Sequence, residues 1–129
     1  MIIEDVKVKD VRTIIEANGS LSFMETPFDV KRIFYVYNVR VGDIRGFHAH
    51  KKCKQLLIAM SGTVTVTCDD GENRKSFNLT KSSQGLYIPP MIWSEQFYHT
   101  SEAVLLGLAS HEFDESDYIR NYEEYKKQI

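Results

Sequence analysis

The stretch Gly42-Asp43-Ile44-Arg45-Gly46-Phe47-His48-Ala49-His50, continued by Gln55 and Gly62, decides the fold. Alternate side chains of a strand point to the same face, so His48 and His50 are expected in one cavity, with Phe47 and Ala49 facing away. Histidine is the side chain that titrates nearest neutrality. Two imidazoles in one cavity therefore indicate a functional role for this histidine pair rather than a purely structural one.

The spacing Gly42-x5-His48-x-His50-x4-Gln55-x6-Gly62 resembles the first signature of the cupins. A metal-binding cupin would have a carboxylate at the position of Gln55 and would add a histidine from a second signature. The second signature is matched in outline by residues 85–94, where Met91 replaces its turn glycine and Ser94 replaces its histidine. Imidazoles, an amide and a hydroxyl offer a divalent cation no negative charge, so we expect no tightly held metal.

Length and composition indicate one domain over residues 1–129. The chain has 43% hydrophobic residues, enough for a core without metal or disulfide support. The formal net charge is −2, and no basic stripe suggests a nucleic-acid partner. The N-terminus lacks a leader pattern and no apolar stretch could span a bilayer, so we expect a cytoplasmic protein with Cys53 and Cys68 as reduced thiols.

Short runs rich in β-branched and aromatic residues, separated by turn residues, predict an all-β fold. The expected strands are Lys31–Arg40, Gln55–Met60, Thr63–Cys68, Arg74–Leu79, Leu86–Pro89, Ser94–His99 and Ala103–Ala109, with turns at Asn18-Gly19-Ser20 and Asp69-Asp70-Gly71. The spacing of Tyr118, Tyr122, Tyr125 and Ile129 predicts one helix at the end of the chain, capped by Asp114 or Ser116. The fold class is thus a cupin, a double-stranded β-helix jelly roll, with a short C-terminal α-helix.

Several side chains are candidates for binding a ligand. The guanidinium of Arg45 or Arg32 suits a phosphate, and Tyr35 or Tyr37 suits a base or a sugar hydroxyl. Arg32 and the two tyrosines fall on opposite faces of their strand, so only one of the two faces lines the cavity. Trp93 is a candidate for the cavity mouth, although a lone tryptophan is more often a core residue.

Five phrases together resemble the sugar-nucleotide cupins known as dTDP-4-oxo-6-deoxyglucose 3,4-ketoisomerases. They are Lys31-Arg32-Ile33-Phe34-Tyr35-Val36-Tyr37, Arg45-Gly46-Phe47-His48-Ala49-His50-Lys51-Lys52, Asp69-Asp70-Gly71, Gly85-Leu86-Tyr87 and Asp114-Glu115-Ser116-Asp117-Tyr118-Ile119-Arg120. The likeness extends over most of the chain from about residue 18. It differs at Ser94, where relatives have a histidine after the tryptophan.

The resemblance implies a small homodimer without metal or cofactor, acting on a dTDP-linked 6-deoxy-4-oxo sugar. Moving the keto group from C4 to C3 requires a positioned acid/base and passes through an enediol or enediolate. The resemblance makes His48 and His50 the catalytic pair, with their individual roles open. Substrate binding is assigned to Arg32, Tyr35, Tyr37, Arg45, Gln55 and Trp93. The product would supply the C3 ketone that an aminotransferase needs in deoxyamino-sugar and polysaccharide synthesis.

Three other functions are compatible with the same residues. One is a metal-dependent cupin oxygenase, in which His48 and His50 bind iron with help from Gln55 or water. A second is a nucleotide-sugar binding module without turnover, and a third is 3,5-epimerisation of the same substrate. The configuration of the product at C4, galacto or gluco, stays open because it depends on the face that is reprotonated.

Overall fold

The computed structural model describes residues 1–129 as two facing five-stranded antiparallel sheets with a separate hairpin. One sheet has the strand order β1-β9-β6-β11-β4 and the other β12-β5-β10-β7-β8, while β2 pairs only with β3. The strands are β1 (Lys7–Asp10), β2 (Arg12–Glu16), β3 (Gly19–Phe23), β4 (Arg32–Val36), β5 (Ile44–His50), β6 (Gln55–Ser61), β7 (Val64–Asp69), β8 (Arg74–Leu79), β9 (Gln84–Ile88), β10 (Trp93–Tyr98), β11 (Val104–Ala109) and β12 (Tyr118–Ile119). This is the expected cupin-like β-sandwich.

The main core lies between the two sheets and follows the alternation of the strands. In β7, Val64 and Val66 are fully buried whereas the intervening Thr65 is partly exposed. Leu57 of β6 is fully buried opposite Leu86 of β9. Each such aliphatic side chain contributes about 1.5–3 kcal/mol when buried, so this face alternation holds the two sheets together.

Most of the predicted strands are confirmed to within two residues, but Lys31–Arg40 is too long. β4 ends at Val36. The backbone of Asn38 has φ +58°, a left-handed conformation that takes the chain out of the extended region. The turn that joins β2 to β3 consists of Ala17 and Asn18, one residue earlier than predicted, because Gly19 already pairs with Glu16.

The C-terminal helix is present but begins later than expected. Residues Glu115–Asp117 form a 3-10 turn, β12 follows, and α1 runs from Tyr122 to Gln128. The expected cap was wrong, because Asn121 caps α1 by accepting a bond from the Glu124 amide at 3.0 Å, while Asp114 caps the 3-10 turn. Tyr118 is drawn into a strand by pairing with His50, a contact that helical periodicity cannot anticipate.

Helix α1 covers the outer face of the second sheet and creates a small second core. Fully buried Tyr125 packs with Ala49, Trp93 and Ile119. Its hydroxyl lies 2.9 Å from the carbonyl oxygens of Asp69 and of Met91, at the edge of the sheet. The helix thereby stabilises β5 and β10, the two strands that carry the candidate site.

The β2–β3 hairpin projects from this body, and every residue of both strands is exposed. Ile14, Leu21 and Phe23 lie together on one of its faces, since Ile14 pairs with Leu21 and Arg12 with Phe23. None of the helices is both long and apolar enough to cross a membrane.

Candidate active site

The two histidines lie side by side at one end of the sandwich, as strand alternation predicts. Their ring centroids are 5.0 Å apart and their planes are nearly perpendicular, at 88°. Before them, Gly46 and Phe47 have φ of +100° and +54°, and the pairing of β5 with β10 shifts register between Ser94 and Glu95. This bulge turns the strand so that the His48 ring stands beside that of His50.

His48 presents one ring nitrogen that the protein leaves free. Its Nδ1 lies 3.0 Å from the carbonyl oxygen of Gly46, which can only accept, so Nδ1 carries the proton and donates. Burial lowers the pKa of His48, outweighing the bond to Gly46, which acts in the opposite direction. The imidazole is therefore neutral near pH 7 and offers the Nε2 lone pair as a base.

His50 is held at both ring nitrogens. Nδ1 donates to the Asp117 carboxylate at 3.0 Å, and Nε2 lies 3.1 Å from the amide nitrogen of Gln55, which donates to it. Burial lowers the pKa of His50 to about 4, helped by His48 and opposed by Asp117. A neutral ring with its proton on Nδ1 satisfies both neighbours, which fixes the tautomer of His50.

Asp117 is a site residue that the sequence reasoning missed. One carboxylate oxygen accepts from the Lys52 backbone amide at 2.8 Å, and the other accepts from the Cys53 amide at 3.3 Å as well as from His50. It thus ties the C-terminal segment to the turn after β5. Asp117 lies in one of the phrases that resemble the ketoisomerases, but an acidic residue 67 positions from its partner gives no local signal.

The prediction that Tyr118 belongs to the C-terminal helix is wrong, because Tyr118 lies in β12 beside the histidines. Its ring centroid lies 5.0 Å from that of His48 and 4.3 Å from that of His50. The Arg120 guanidinium lies over the Tyr118 ring, 4.2 Å from its centroid, and pairs with Glu115 at 2.6 and 2.9 Å. The 3-10 turn and β12 therefore form a wall of the histidine site.

Arg32 lies across from the histidines on the inner face of the first sheet. Ala109 of β11 pairs with Arg32 on one side and with Gln55 on the other, which places these two side chains in one row. Arg32 Nη1 donates to the Tyr118 hydroxyl at 3.3 Å, but its Nε is buried without a partner. A buried donor without a hydrogen-bond partner destabilises the fold by about 1–3 kcal/mol. A ligand oxygen that accepts a hydrogen bond from Arg32 Nε would remove this cost.

The remaining predicted residues lie elsewhere. Tyr35 and Tyr37 stack on each other outside the sandwich, 64% and 57% exposed, on the face opposite to Arg32. Exposed Arg45 lines a surface cleft of about 500 Å³ together with Tyr37. The structure brings together His48, His50, Gln55 and Arg32. The side chains of Tyr35, Tyr37 and Arg45 lie apart from this group.

Trp93 and Ser94 separate because consecutive residues of β10 face opposite sides. Trp93 is 3% exposed beneath α1, with its ring 5.3 Å from that of Tyr122, and its Nε1 donates to Glu95 at 2.9 Å. The predicted substrate contact of Trp93 does not fit this position, which is that of a core residue. Ser94 pairs with His48 across the sheet and is 3% exposed.

The sandwich, with paired neutral histidines at one end, defines a cupin-like protein equipped for proton transfer. The family model described as "FdtA: WxcM-like, C-terminal" matches residues 4–129. The chain therefore belongs to this family.

Three relatives have specified activities or ligands. The TDP-4-oxo-6-deoxy-alpha-D-glucose-3,4-oxoisomerase of Aneurinibacillus thermoaerophilus is 39% identical over 127 residues, 95% of this chain and 91% of that protein. A 3,4-ketoisomerase from Helicobacter canadensis is 37% identical, with a TM-score of 0.92 and 96% of each chain covered. A histidine-to-asparagine mutant of the 3,4-ketoisomerase QdtA from Thermoanaerobacterium thermosaccharolyticum, in complex with TDP-4-keto-6-deoxyglucose, is 37% identical, with a TM-score of 0.94 over 98% of this chain and 95% of that one.

Proposed function

We propose that this protein is a sugar 3,4-ketoisomerase that converts dTDP-4-oxo-6-deoxy-D-glucose to a dTDP-3-oxo-6-deoxyhexose. The observation that carries the proposal is the pair of neutral histidines, one with a free Nε2 and the other fixed by Asp117 and Gln55. The oxoisomerase and ketoisomerase activities of the relatives support it.

In the proposed mechanism His48 is the base. Its Nε2 takes the proton from C3, and the electron pair of that bond forms the C3–C4 double bond of an enediolate with its charge on O4. Transfer of the O3 proton to O4 and return of the proton from His48 Nε2 to C4 leave a ketone at C3 and a hydroxyl at C4. The reaction is redox-neutral overall, and a well-placed base contributes about 10² to 10⁴ in rate.

Gln55 stabilises the enediolate in this mechanism, and His50 holds Gln55 in place. His50 is held in one tautomer, and its neighbour Gln55 has a second amide N–H that can donate to a sugar oxygen. Both side chains are buried, at 5% and 6% exposure. Hydrogen bonds to a developing negative charge are stronger in such a site than in water.

Substrate binding uses Arg32, whose unpartnered Nε meets an oxygen of the sugar or of the pyrophosphate. Substrate contacts from Arg45, Tyr35 and Tyr37 remain predictions, since these three side chains are exposed on the outer surface of the chain.

A cytoplasmic location, a single domain over residues 1–129 and the absence of a nucleic-acid partner also remain predictions. Cell fractionation tests the first of these.

A homodimer is proposed because the β2–β3 hairpin lacks support within its own chain. A lone two-stranded hairpin is marginally stable in water, and this one exposes an apolar face of Ile14, Leu21 and Phe23. In a homodimer with two-fold symmetry, each copy contributes the same hairpin to the interface, and this is the commonest symmetry of oligomers.

The proposal is tested by incubating the purified protein with dTDP-4-oxo-6-deoxyglucose in deuterated water and following the products by NMR. A 3-oxo product with deuterium at C4 is expected, and its coupling pattern gives the configuration. Deuterium at C5 would indicate the epimerase instead, and neither product nor exchange would indicate a binding module. Stoichiometric iron with activity lost to chelators would indicate the oxygenase.

A further inference from the structure

A buried group of three potential metal ligands lies behind His50, on the side away from Gln55. The Nδ1 atom of His50, the Sγ atom of Cys53 and a carboxylate oxygen of Asp117 all lie within 4.8 Å of one another. Cys53 is 1% exposed and His50 5% exposed. The proposed isomerisation uses the His50–Asp117 contact but gives the thiol no part.

This donor set differs from the four residues of the cupin signatures. A nitrogen, a sulfur and an oxygen are the ligands that Zn²⁺ takes in proteins, at about 2.0–2.3 Å. Thiolate and carboxylate together carry two negative charges, which balance the charge of the ion, whereas His48, His50, Gln55 and Ser94 supply none. Nδ1 and the Asp117 carboxylate are 3.0 Å apart, and Sγ, which donates to the Lys54 carbonyl at 3.4 Å, lies within 4.8 Å of both, so small shifts of these side chains would bring all three atoms onto one ion.

We propose that His50, Cys53 and Asp117 form a binding site for a thiophilic divalent cation such as Zn²⁺, and that occupation of this site inhibits the enzyme. The ion reaches the site from a surface cleft of about 590 Å³ that Asp117 lines with Lys52, Asp114 and Glu112. The Asp117 side chain is 11% exposed to it. Water from this cleft supplies the fourth ligand.

Inhibition follows from the tautomer of His50. When the ion binds Nδ1, the ring proton moves to Nε2, and the Cys53 thiol releases its proton to solvent. Without the ion, His50 Nε2 accepts a hydrogen bond from the Gln55 amide nitrogen. With the proton on Nε2, both groups are donors and this hydrogen bond is lost. His50 and Gln55 lose the arrangement that supports the enediolate, and turnover falls by about 10²-fold.

The binding arm of the test does not depend on the proposed function. Co²⁺ is titrated into the reduced, metal-free protein, and a thiolate-to-cobalt charge-transfer band in the near ultraviolet is expected. Cys53→Ala should lose this band, and Cys53→Ser serves if the alanine variant does not fold. Cys68→Ala is the matched control, because Cys68 is equally buried but belongs to the core between the sheets. Absence of the band in the wild type, or its persistence without Cys53, would overturn the site.

The inhibition arm rests on the proposed isomerase activity. Zn²⁺ should inhibit the wild type and the Cys68→Ala variant, with full recovery on adding a chelator. Cys53→Ala should keep its basal turnover and bind Zn²⁺ about 10–100-fold more weakly. Equal inhibition of wild type and Cys53→Ala would refute the proposal. If the wild type shows no turnover at all, the proposed function fails while the cobalt band still decides the site.

Discussion

His48 and His50 are separated by a single residue, Ala49, and have different surroundings. The Nδ1 of His48 is bonded to a backbone carbonyl of its own strand, which leaves Nε2 free, whereas His50 is bonded at both nitrogens by side chains from other elements. In the proposed mechanism, this difference makes His48 the proton carrier and His50 the group that is held in place.

The substitution His48→Asn tests the assignment of the base. Asparagine has no basic nitrogen, so turnover should fall by about 10² to 10⁴ while binding of dTDP is retained. Product formation by NMR and dTDP binding by calorimetry measure the two quantities. His99→Asn is the control, because the His99 side chain is exposed and its ring is hydrogen-bonded only to the Thr65 hydroxyl. A near-normal rate for His48→Asn would remove His48 from the mechanism.

Asp117→Asn should change the tautomer of His50. The new amide nitrogen can face Nδ1 as a donor, which favours the tautomer with its proton on Nε2, and kcat should fall by about 10–100-fold with little change in KM. The ¹⁵N shifts of the His50 ring report the tautomer directly. Asp43→Asn is the control, since Asp43 is an exposed carboxylate paired with Arg40. Unchanged ring shifts together with unchanged kcat would contradict the assignment.

The dependence of kcat/KM on pH follows from the lowered pKa values of both histidines. The neutral imidazole is the active form, so activity is lost as pH falls through the lowered pKa and is retained above it. Because burial lowers the pKa of His48 below its ordinary 6.5, the acid limb should lie below pH 6.5. A profile measured in buffers of constant ionic strength that loses activity at or above pH 6.5 would show that the base is not buried His48.

At the scale of elements, the C-terminal segment supports the site from two sides. The 3-10 turn and β12 place Asp117 and Tyr118 against the histidines, while α1 packs beneath β5 and β10. Stability and catalysis therefore depend on the same fifteen or so residues, but through different side chains.

Tyr125→Ala should destabilise the protein by about 3–5 kcal/mol, because it removes a fully buried aromatic ring from the small outer core. Tyr125→Phe keeps the ring and loses only the hydroxyl near the Asp69 and Met91 carbonyls, so about 1–3 kcal/mol is expected. Urea unfolding followed by fluorescence measures both. If alanine costs no more than phenylalanine, α1 does not pack on the sheet as described.

For the whole molecule, the exposed hairpin predicts association of two chains. Light scattering should give twice the chain mass of 14.9 kDa. Leu21→Lys places a charge on the apolar face of the hairpin and should shift the protein toward monomer. Ser20→Lys, on the opposite face of the same strand, should leave it a dimer. A wild-type monomer, or an equal effect of both lysines, would contradict this interface.

The sequence alone determined the all-β class, most strands and the shared face of His48 and His50. These features depend on the two-residue period of a strand and on local turn chemistry, so they can be seen within a few neighbouring residues. The position of Arg32 on the face opposite to Tyr35 and Tyr37 followed from the same period, although which face lines the cavity did not.

Tertiary structure decided what each histidine can do. Asp117 is 67 residues from His50 in the chain, and Arg32 is 86 residues from Tyr118, so no local pattern predicts these contacts. The burial of Trp93 beneath α1 and the pairing of Tyr118 with His50 likewise depend on how the chain end folds back. Proton positions on an imidazole follow from its hydrogen-bond partners, and those partners exist only once distant strands have come together.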